Sequence, residues 1–470
     1  MSLTREIEKP ALGILEWFHM NDRDHVKQAV RQMQELGITH LRTGISWADY
    51  HSDEGRKWTS WFIPYLSRHL QLLPCLLYTP PSIGITPKTS APPRYPEYFA
   101  DFTEEILNLY GEHFEWVELW NEPNNTTEYD HRLDPDWGIF RNFMGQAADV
   151  IHKHGKKVLL GGMSPIDPAW LNHMFEIGLM EKIDTIGIHG FPGTFDTDWP
   201  GWKKSVQQVQ EVIDRQSGKQ KIWITEVGYS TWLQDERQQL REFIKATKAP
   251  VERVYWYALN DLRSERPTLD GFHLDDREYH FGMNSEEGKP KLLFRLLKEH
   301  GAEGLERYPW ITRPHITIPK HKRGALITGG GGFIGTNLAH RLLKEGKPVT
   351  ILDNLGRPGV ERNIDWLRRN HKQNLNITIA DIRNPYKVQK AVSRADFVYH
   401  LAAQVAVTTS QEDPRDDFNI NLNGTMNLLE AIRKSSHRPP LIFTSTNKVY
   451  GKIKGLKLYS DELRYHMQPK

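Results

Sequence analysis

Two successive α/β units are predicted for this 470-residue chain, and three observations predict them. Up to about residue 300, short apolar runs alternate with amphipathic segments. Two of those runs end in glutamate, at Glu122 and Glu226. A second alternation opens at Arg323 with a strand, a glycine-rich turn and a helix.

The length itself favours two cores over one. A hydrophobic content of 38% beside 26% charged residues describes a globular chain, and a net charge of +2 gives no reason to expect nucleic acid or a membrane as partner. The basic run Lys320-His321-Lys322-Arg323 reads as a solvated lead-in to a strand. Met1 to Pro10 is charged and no apolar core of a leader follows, so a cytoplasmic location is expected. Cys75 is the single cysteine and lies in the apolar run Leu72 to Leu77, where an inert buried thiol is expected. The 21 histidines form no paired ligand spacing, and no metal is expected.

Taken in order, the candidate strands of the first unit are Leu12–Glu16, Thr39–Ile45, Leu72–Leu77, Trp116–Trp120, Lys157–Gly161, Thr185–His189, Lys221–Glu226 and Arg253–Ala258. Between them lie helical patterns such as Asp24–Leu36, Pro96–His113, Trp137–His154, Trp202–Arg215 and Glu236–Thr247. Alternation on this scale predicts a (β/α)8 TIM barrel over residues 1–300. Residues 301–322, with Pro309, Pro314 and Pro319, show no period and are expected to be an extended linker. The remainder, 323–470, is expected to be a partial NAD-binding Rossmann fold, with strands Ala325–Thr328, Val349–Leu352, Ile377–Ala380, Phe397–Leu401 and Leu441–Thr444 and a helix at Asn337–Glu345.

Carboxylates at the ends of two barrel strands are what cleavage of a glycosidic bond requires, one to protonate the leaving oxygen and one to attack the anomeric carbon. Glu122 stands in Leu119-Trp120-Asn121-Glu122-Pro123-Asn124 and Glu226 in Trp223-Ile224-Thr225-Glu226-Val227-Gly228. Burial beside Trp120 would raise the Glu122 pKa, while a positive neighbour would keep Glu226 ionised. Asn121-Glu122-Pro123 on a fourth strand with a glutamate ending the seventh resembles the clan of retaining (β/α)8 glycoside hydrolases (β-xylosidases, β-glucosidases and cellulases among them). The resemblance implies Glu122 as acid/base, Glu226 as nucleophile and Asn121 as ligand of the sugar 2-hydroxyl. It further implies Arg42 beside the nucleophile, His189 in the substrate site and Trp256 as aromatic sugar platform. Where the clan often has a tyrosine hydroxyl two residues after the histidine, this chain has Phe191, and Tyr229 is the expected substitute. Trp47, Trp199, Trp202 and Trp232 fall in or beside strand-to-helix loops where sugars could stack.

In the second unit, Thr328-Gly329-Gly330-Gly331-Gly332-Phe333-Ile334-Gly335 follows a strand and opens a helix. Gly329 suits a tight turn, Gly332 an approach to pyrophosphate and Gly335 close helix packing, with the anion at the helix N-terminus. Asp353, ending the next strand, suits ribose hydroxyls and disfavours a 2′-phosphate. These blocks resemble the extended short-chain dehydrogenases of the nucleotide-sugar epimerase/dehydratase branch. Asp353-Asn354-Leu355-Gly356-Arg357, Gln404 to Ser410 and Ser445-Thr446-Asn447-Lys448-Val449-Tyr450-Gly451 look like those of CDP-paratose 2-epimerases.

That resemblance implies NAD held by Gly329, Gly332, Phe333, Ile334, Gly335, Asp353, Asn354, Arg357, Asp381, Ile382, Leu401, Ala402 and Ala403. It implies Thr446 in the catalytic Ser/Thr place, a nucleotide-sugar (CDP-sugar) substrate and a homodimer through the full-length epimerase domain. The family's Tyr-x-x-x-Lys pair is expected beyond Lys470, so the domain is expected to be incomplete and inactive. Tyr450 and Lys454 imitate its spacing but are read as a decoy. The whole is expected to be a bifunctional carbohydrate protein, a β-glycosidase-like barrel acting on a glycoside, fused to the cofactor half of an epimerase. The alternative is a catalytically silent sugar-binding barrel that serves as docking module. A second alternative makes the C-terminal half a dehydratase or 4-epimerase.

Overall fold

The structure is a computed structural model that describes residues 9–263, 275–313, 315–446, 449, 451, 455 and 457–467. The chain divides into two compact units, Met1–Arg313 and Pro314–Lys470.

In the first unit β1 (Ala11–Leu15), β2 (His40–Ser46), β3 (Gln71–Leu77), β4 (Trp116–Leu119), β5 (Lys157–Met163), β6 (Thr185–Gly190), β7 (Lys221–Val227) and β8 (Arg253–Tyr257) close into a parallel barrel. The barrel shuts where β8 pairs with β1, Leu15 opposite Tyr257. The strands are buried along nearly their whole length, as expected when helices cover a parallel sheet. Helix boundaries follow from local chemistry. Asp22 caps Arg23–Leu36 by accepting the His25 N–H, and Gly37 at φ 68° ends it.

Two helices that the sequence pattern did not single out are Asp53–Ser67 and Pro168–Glu176. Pro64 lies inside the first and disguises it, yet Trp58, Phe62, Ile63 and Leu66 form one buried face that outweighs the lost N–H. Within the expected linker 301–322, the part up to residue 312 is not extended. The helix Leu292–Gly304 runs on into short turns at Leu305–Arg307 and Pro309–Thr312, which bury Leu305, Trp310 and Ile311. Arg237 Nε donates to the Ile311 carbonyl, tying that segment to the helix Glu236–Ala246. Proline spacing suggested an exposed coil, but apolar burial decided otherwise.

The second unit holds β9 (His315–Ile316), β10 (Gly324–Thr328), β11 (Val349–Asp353), β12 (Leu375–Ile379), β13 (Ala395–His400) and β14 (Leu441–Phe443) in the order β14-β13-β10-β11-β12-β9. Five strands are parallel, and β9, drawn from the expected linker, adds antiparallel to β12. The order reverses direction at β10, so its carboxyl end lies at a topological switch point. A separate exposed hairpin joins β15 (Leu458–Ser460) to β16 (Tyr465–Met467). Among the described residues no helix is long and apolar enough to cross a membrane.

Trp310 therefore belongs to the barrel core. Trp310→Ala should lower the stability of the barrel unit by about 3–5 kcal/mol, the usual cost of emptying a buried indole site. Urea unfolding followed by circular dichroism reads this out. An unchanged midpoint would mean that the segment is a linker after all.

Candidate active site

Arg42, on β2 and wholly buried, organises the carboxyl end of the barrel. Its Nε donates to Glu118 Oε2 at 2.5 Å and Nη2 to Glu118 Oε1 at 3.0 Å, a bidentate grip across the barrel. Nη1 donates to Glu226 Oε1 at 2.6 Å and Nη2 to Asn121 Oδ1 at 2.8 Å. The guanidinium also lies 5.4 Å from the Trp17 ring, which Gly44 admits because a Cβ there would sit 2.5 Å from the indole. One cation thus orients a candidate ligand and a candidate nucleophile together.

Glu122 reaches the site through an irregular backbone. Inward alternation on β4 would turn residue 120 toward the barrel axis, but Trp120 adopts φ 67° and packs its ring on Phe99, Tyr129 and Phe143. Glu122 itself sits at φ 39°, a strained conformation for a non-glycine residue. Its Oε2 accepts from Asn125 Nδ2 at 2.9 Å, and its Oε1 lies 2.9 Å from His189 Nδ1. His189 Nε2 is 3.0 Å from Thr225 Oγ1. Gly162 makes this possible, since a Cβ there would fall 2.0 Å from His189 Nε2.

One oxygen of each glutamate and a nitrogen of His189 lie within 4.8 Å of one another. Burial raises the Glu122 carboxyl to about 7, against the lowering pull of Asn125, Ser164 and Arg42. Burial also raises Glu226, but His189 and Arg42 pull it back. Burial holds His189 down at about 4, so the imidazole is neutral near pH 7 and carries one proton between its two contacts. Two carboxylates and a histidine are also a donor set for a divalent cation, yet Arg42 already occupies Glu226 Oε1. The arrangement is suited to holding a proton on Glu122 and a charge on Glu226 on two sides of one bond.

Both glutamates and Asn121 line a cavity of about 630 Å³. Arg42 and His189 stand directly behind its wall, bonded to the lining glutamates. Two expected residues are not brought there. Trp256 is fully buried and packs on Phe243, because β8 turns Tyr255 and Tyr257 inward and Trp256 outward. Tyr257 is the aromatic side chain of β8 that lines the cavity. Tyr229 does not line it; its hydroxyl is raised by burial and by Asp235 and Glu242. Trp47 stacks on Phe102 and Trp199 packs edge-on to Trp202, both off the cavity, and Trp232 is exposed elsewhere. Trp17 lines it instead. Sequence reasoning also missed Glu118, Glu128 and Glu278. Glu118 falls at the inward phase of a strand, and that signal could have found it.

The second unit gathers its expected cofactor residues at the carboxyl ends of β10, β11 and β13. Gly329 has φ 68°, and a Cβ there would lie 2.8 Å from the Ala402 nitrogen. At Gly335 a Cβ would lie 2.4 Å from the Gly329 carbonyl, so the helix Phe333–Lys344 can start only without one. At Gly332 the nearest such contact is 3.3 Å, and the first helical residues Phe333 and Ile334 are 83% and 64% exposed. Asp353 Oδ2 accepts from Gly331 N at 3.0 Å and Oδ1 from Leu355 N at 2.8 Å. Asn354 Nδ2 donates to Asp381 Oδ2 at 2.7 Å. Burial opposes ionisation of Asp381, but the charge and hydrogen bonds of Arg383 prevail and hold it low. Ile382 is buried, Leu401 and Ala402 are half-buried, and Arg357 and Ala403 are exposed. Thr446 is exposed three residues beyond β14. Tyr450 and Lys454 lie outside the described residues. The bare glycine turn, the open helix end and a carboxylate ending β11 fit a dinucleotide.

Residues 326–469 match the family model "GDP-mannose 4,6 dehydratase". The CDP-paratose 2-epimerase of Salmonella typhi is 44% identical over 142 residues, 30% of this chain and 41% of that protein. The chain spans about two-fifths of the length of the curated relatives it matches. Among solved structures, the UDP-glucose 4-epimerase of Thermus thermophilus in complex with NAD is 39% identical, with a TM-score of 0.21 over 23% of this chain and 33% of that one. A glucosidase from Croceicoccus marinus is 10% identical, with a TM-score of 0.46 over 63% of this chain and 68% of that one.

Glu278 is raised to about 7 by burial and by the charges of Glu226 and Glu122. With glutamate carboxyls labelled with carbon-13, two resonances should titrate near pH 7, one lost in Glu122→Gln and the other in Glu278→Gln. Both folded values lie above the ordinary one, so the stability these groups lend is complete in acid and is lost as pH rises through about 7. Titration of every glutamate below pH 5 would contradict the environments described.

Proposed function

We propose that the barrel, with its glycoside hydrolase-like fold, is a retaining β-glycosidase, and that the epimerase/dehydratase-like unit fused to it binds NAD. The observation that carries the first part is the pair Glu122 and Glu226, with oxygens within 4.8 Å, the first against neutral His189 and the second bonded to Arg42. Retaining enzymes hold their carboxyls about 5–5.5 Å apart, whereas inverting ones need roughly 6.5–9.5 Å to admit a water.

In the first step a Glu226 oxygen bonds to the anomeric carbon as the bond from that carbon to the leaving oxygen breaks. The Glu122 proton passes to the leaving oxygen. In the second step Glu122 takes a proton from water, the water oxygen bonds to the anomeric carbon, and the ester to Glu226 breaks. Arg42 keeps Glu226 ionised and aimed, and Asn121 is held by the same guanidinium to meet a sugar hydroxyl. His189 fixes the Glu122 carboxyl without competing as an acid, because its own pKa lies at about 4.

For the second unit, Gly329, Gly332 and Gly335 would admit the pyrophosphate to the N-terminus of Phe333–Lys344, and Asp353 would accept from the adenosine ribose. Asn354 and Arg357 flank that ribose edge, Asp381 and Ile382 the adenine, and Leu401, Ala402 and Ala403 the inner wall. Bound NAD would supply hydride removal from a sugar carbon and its return. A nucleotide-sugar, a CDP-sugar by likeness to the Salmonella typhi protein, is the substrate class this reading gives, with Thr446 as its hydroxyl contact.

Phe191 supports a second reading of the barrel as a silent carbohydrate-binding module. Its ring lines the cavity against Phe195, Tyr257 and Phe281 and offers the nucleophile no hydroxyl.

Nitrophenyl β-glycosides, with product stereochemistry followed by proton NMR, separate the two. The glycosidase reading expects the β-anomer first, a fall in rate as pH rises through about 7, and losses of at least ~10³-fold in Glu122→Gln and Glu226→Ala. Binding without turnover of any glycoside would establish the silent module.

For the cofactor, Asp353→Ala and Gly335→Val should each weaken NAD binding at least ~10-fold in fluorescence titration. Unchanged affinity in both would remove NAD from this edge.

A further inference from the structure

Among the described residues, the barrel cavity is lined by nine carboxylates and one guanidinium, that of Arg263. Several of those carboxylates are answered by the protein. Glu16 faces His25 Nε2 at 2.8 Å and accepts the Leu259 N–H at 2.8 Å. Asp261 accepts from Lys291 Nζ at 2.6 Å and Asp196 from the Phe191 N–H at 2.6 Å. Glu226 has Arg42.

Glu122 accepts from Asn125 Nδ2, Asp22 accepts from the His25 N–H, and Glu286 is engaged as well; Glu128 and Glu278 remain. Glu128 is 4% exposed, lines the cavity, and has no hydrogen-bond partner for Oε2 among the described residues. Glu278 lines the cavity and makes no hydrogen bond or ion pair among them. The neighbouring Arg277 acts on it by charge alone, its hydrogen bonds going to Asp275 and to the Thr194 carbonyl at 2.6 Å.

Glu278 lies on the catalytic side of the cavity. It lines the cavity together with Tyr257, Glu226 and Glu122. After burial its charge is the largest influence on the Tyr257 hydroxyl, and its own carboxyl is raised by Glu226 and Glu122. A neutral hydroxyl would hydrogen-bond such a carboxylate but leave its charge uncompensated in a site already rich in negative charge. A uronate or phosphate would be repelled. A cation would answer the charge and the hydrogen bond together.

We propose that the sugar bound between Glu122 and Glu226 carries a protonated amine, with Glu278 as its counter-ion. The substrate class is then a β-glycoside of an amino sugar with a free amino group. This inference rests on the glycosidase reading of the barrel and adds the chemical identity of the glycone.

The test uses the full chain with nitrophenyl 2-amino-2-deoxy-β-D-glucoside, its galacto epimer and the 6-amino-6-deoxy-β-D-glucoside. Each is compared with its neutral parent and its N-acetyl derivative. The deciding quantity is the ratio of kcat/KM for amine over neutral glycoside. Where no glycoside is turned over, it is the ratio of association constants for the same compounds from titration calorimetry.

At least one amine should be preferred about tenfold or more, with the preference lost in Glu278→Gln and restored in Glu278→Asp. Ratios near one for all three amines, or a preference that survives Glu278→Gln, overturn the inference. If Glu278→Gln does not fold, the wild-type ratio and its change in Glu278→Asp decide. Turnover of neutral glycosides dependent on Glu226 would leave the glycosidase reading standing while this one falls. An amine preference in binding without turnover would do the reverse.

Discussion

Arg42 enters the barrel without solvent, and a guanidinium out of water is tolerated only where its charge is matched and its hydrogens are bonded. Glu118, two strands away on β4, supplies the match with two bonds, and the remaining hydrogens of the guanidinium hold Glu226 and Asn121. The candidate nucleophile is therefore not placed by its own strand alone. It is placed by an ion whose anchor sits on β4, so β2, β4 and β7 must keep their mutual register for the site to exist. Removing one partner of such a buried pair typically costs about 3–5 kcal/mol, so damage to the site and damage to the fold are hard to separate at Glu118.

The other half of the site depends on missing atoms. Glu122 sits at φ 39° and Trp120 at φ 67°, and this irregular turn survives because neighbours close around it. Gly161 leaves room for the Trp120 carbonyl, where a Cβ would lie 2.0 Å away, and Gly162 leaves room for the His189 ring. The two adjacent glycines in β5 thus fit one backbone and one side chain into the same narrow layer.

Eight barrel strands were legible because each is a compact apolar run with a charged or glycine-rich boundary, and Glu122 and Glu226 were legible because they end such runs. Trp256 was misjudged for a reason of phase. A buried strand is apolar on both faces, so its composition does not say which of Tyr255, Trp256 and Tyr257 faces inward. Glu118 was overlooked because a charged residue within a strand reads as an interruption until its cation is known. Glu128 lies in a turn and Glu278 in the short 3-10 helix Asp276–His280, and both gain meaning only from what surrounds them. The glycine turn and Asp353 were plain because the bare backbone there leaves a mark that other turns do not share. The segment from Leu305 to Thr312 was hidden by its prolines, although Trp310 and Ile311 were the signal of burial.

Glu122 and Glu278 share one cavity, and each exchanges its proton at about 7. Whatever seats there alters the surroundings of both, so at neutrality association takes up or gives off a fraction of a proton. Occupancy of the barrel and acidity of the medium become linked quantities, each a measure of the other. A ligand that shifts either carboxyl would therefore bind with a strength that changes with pH, before any bond is broken.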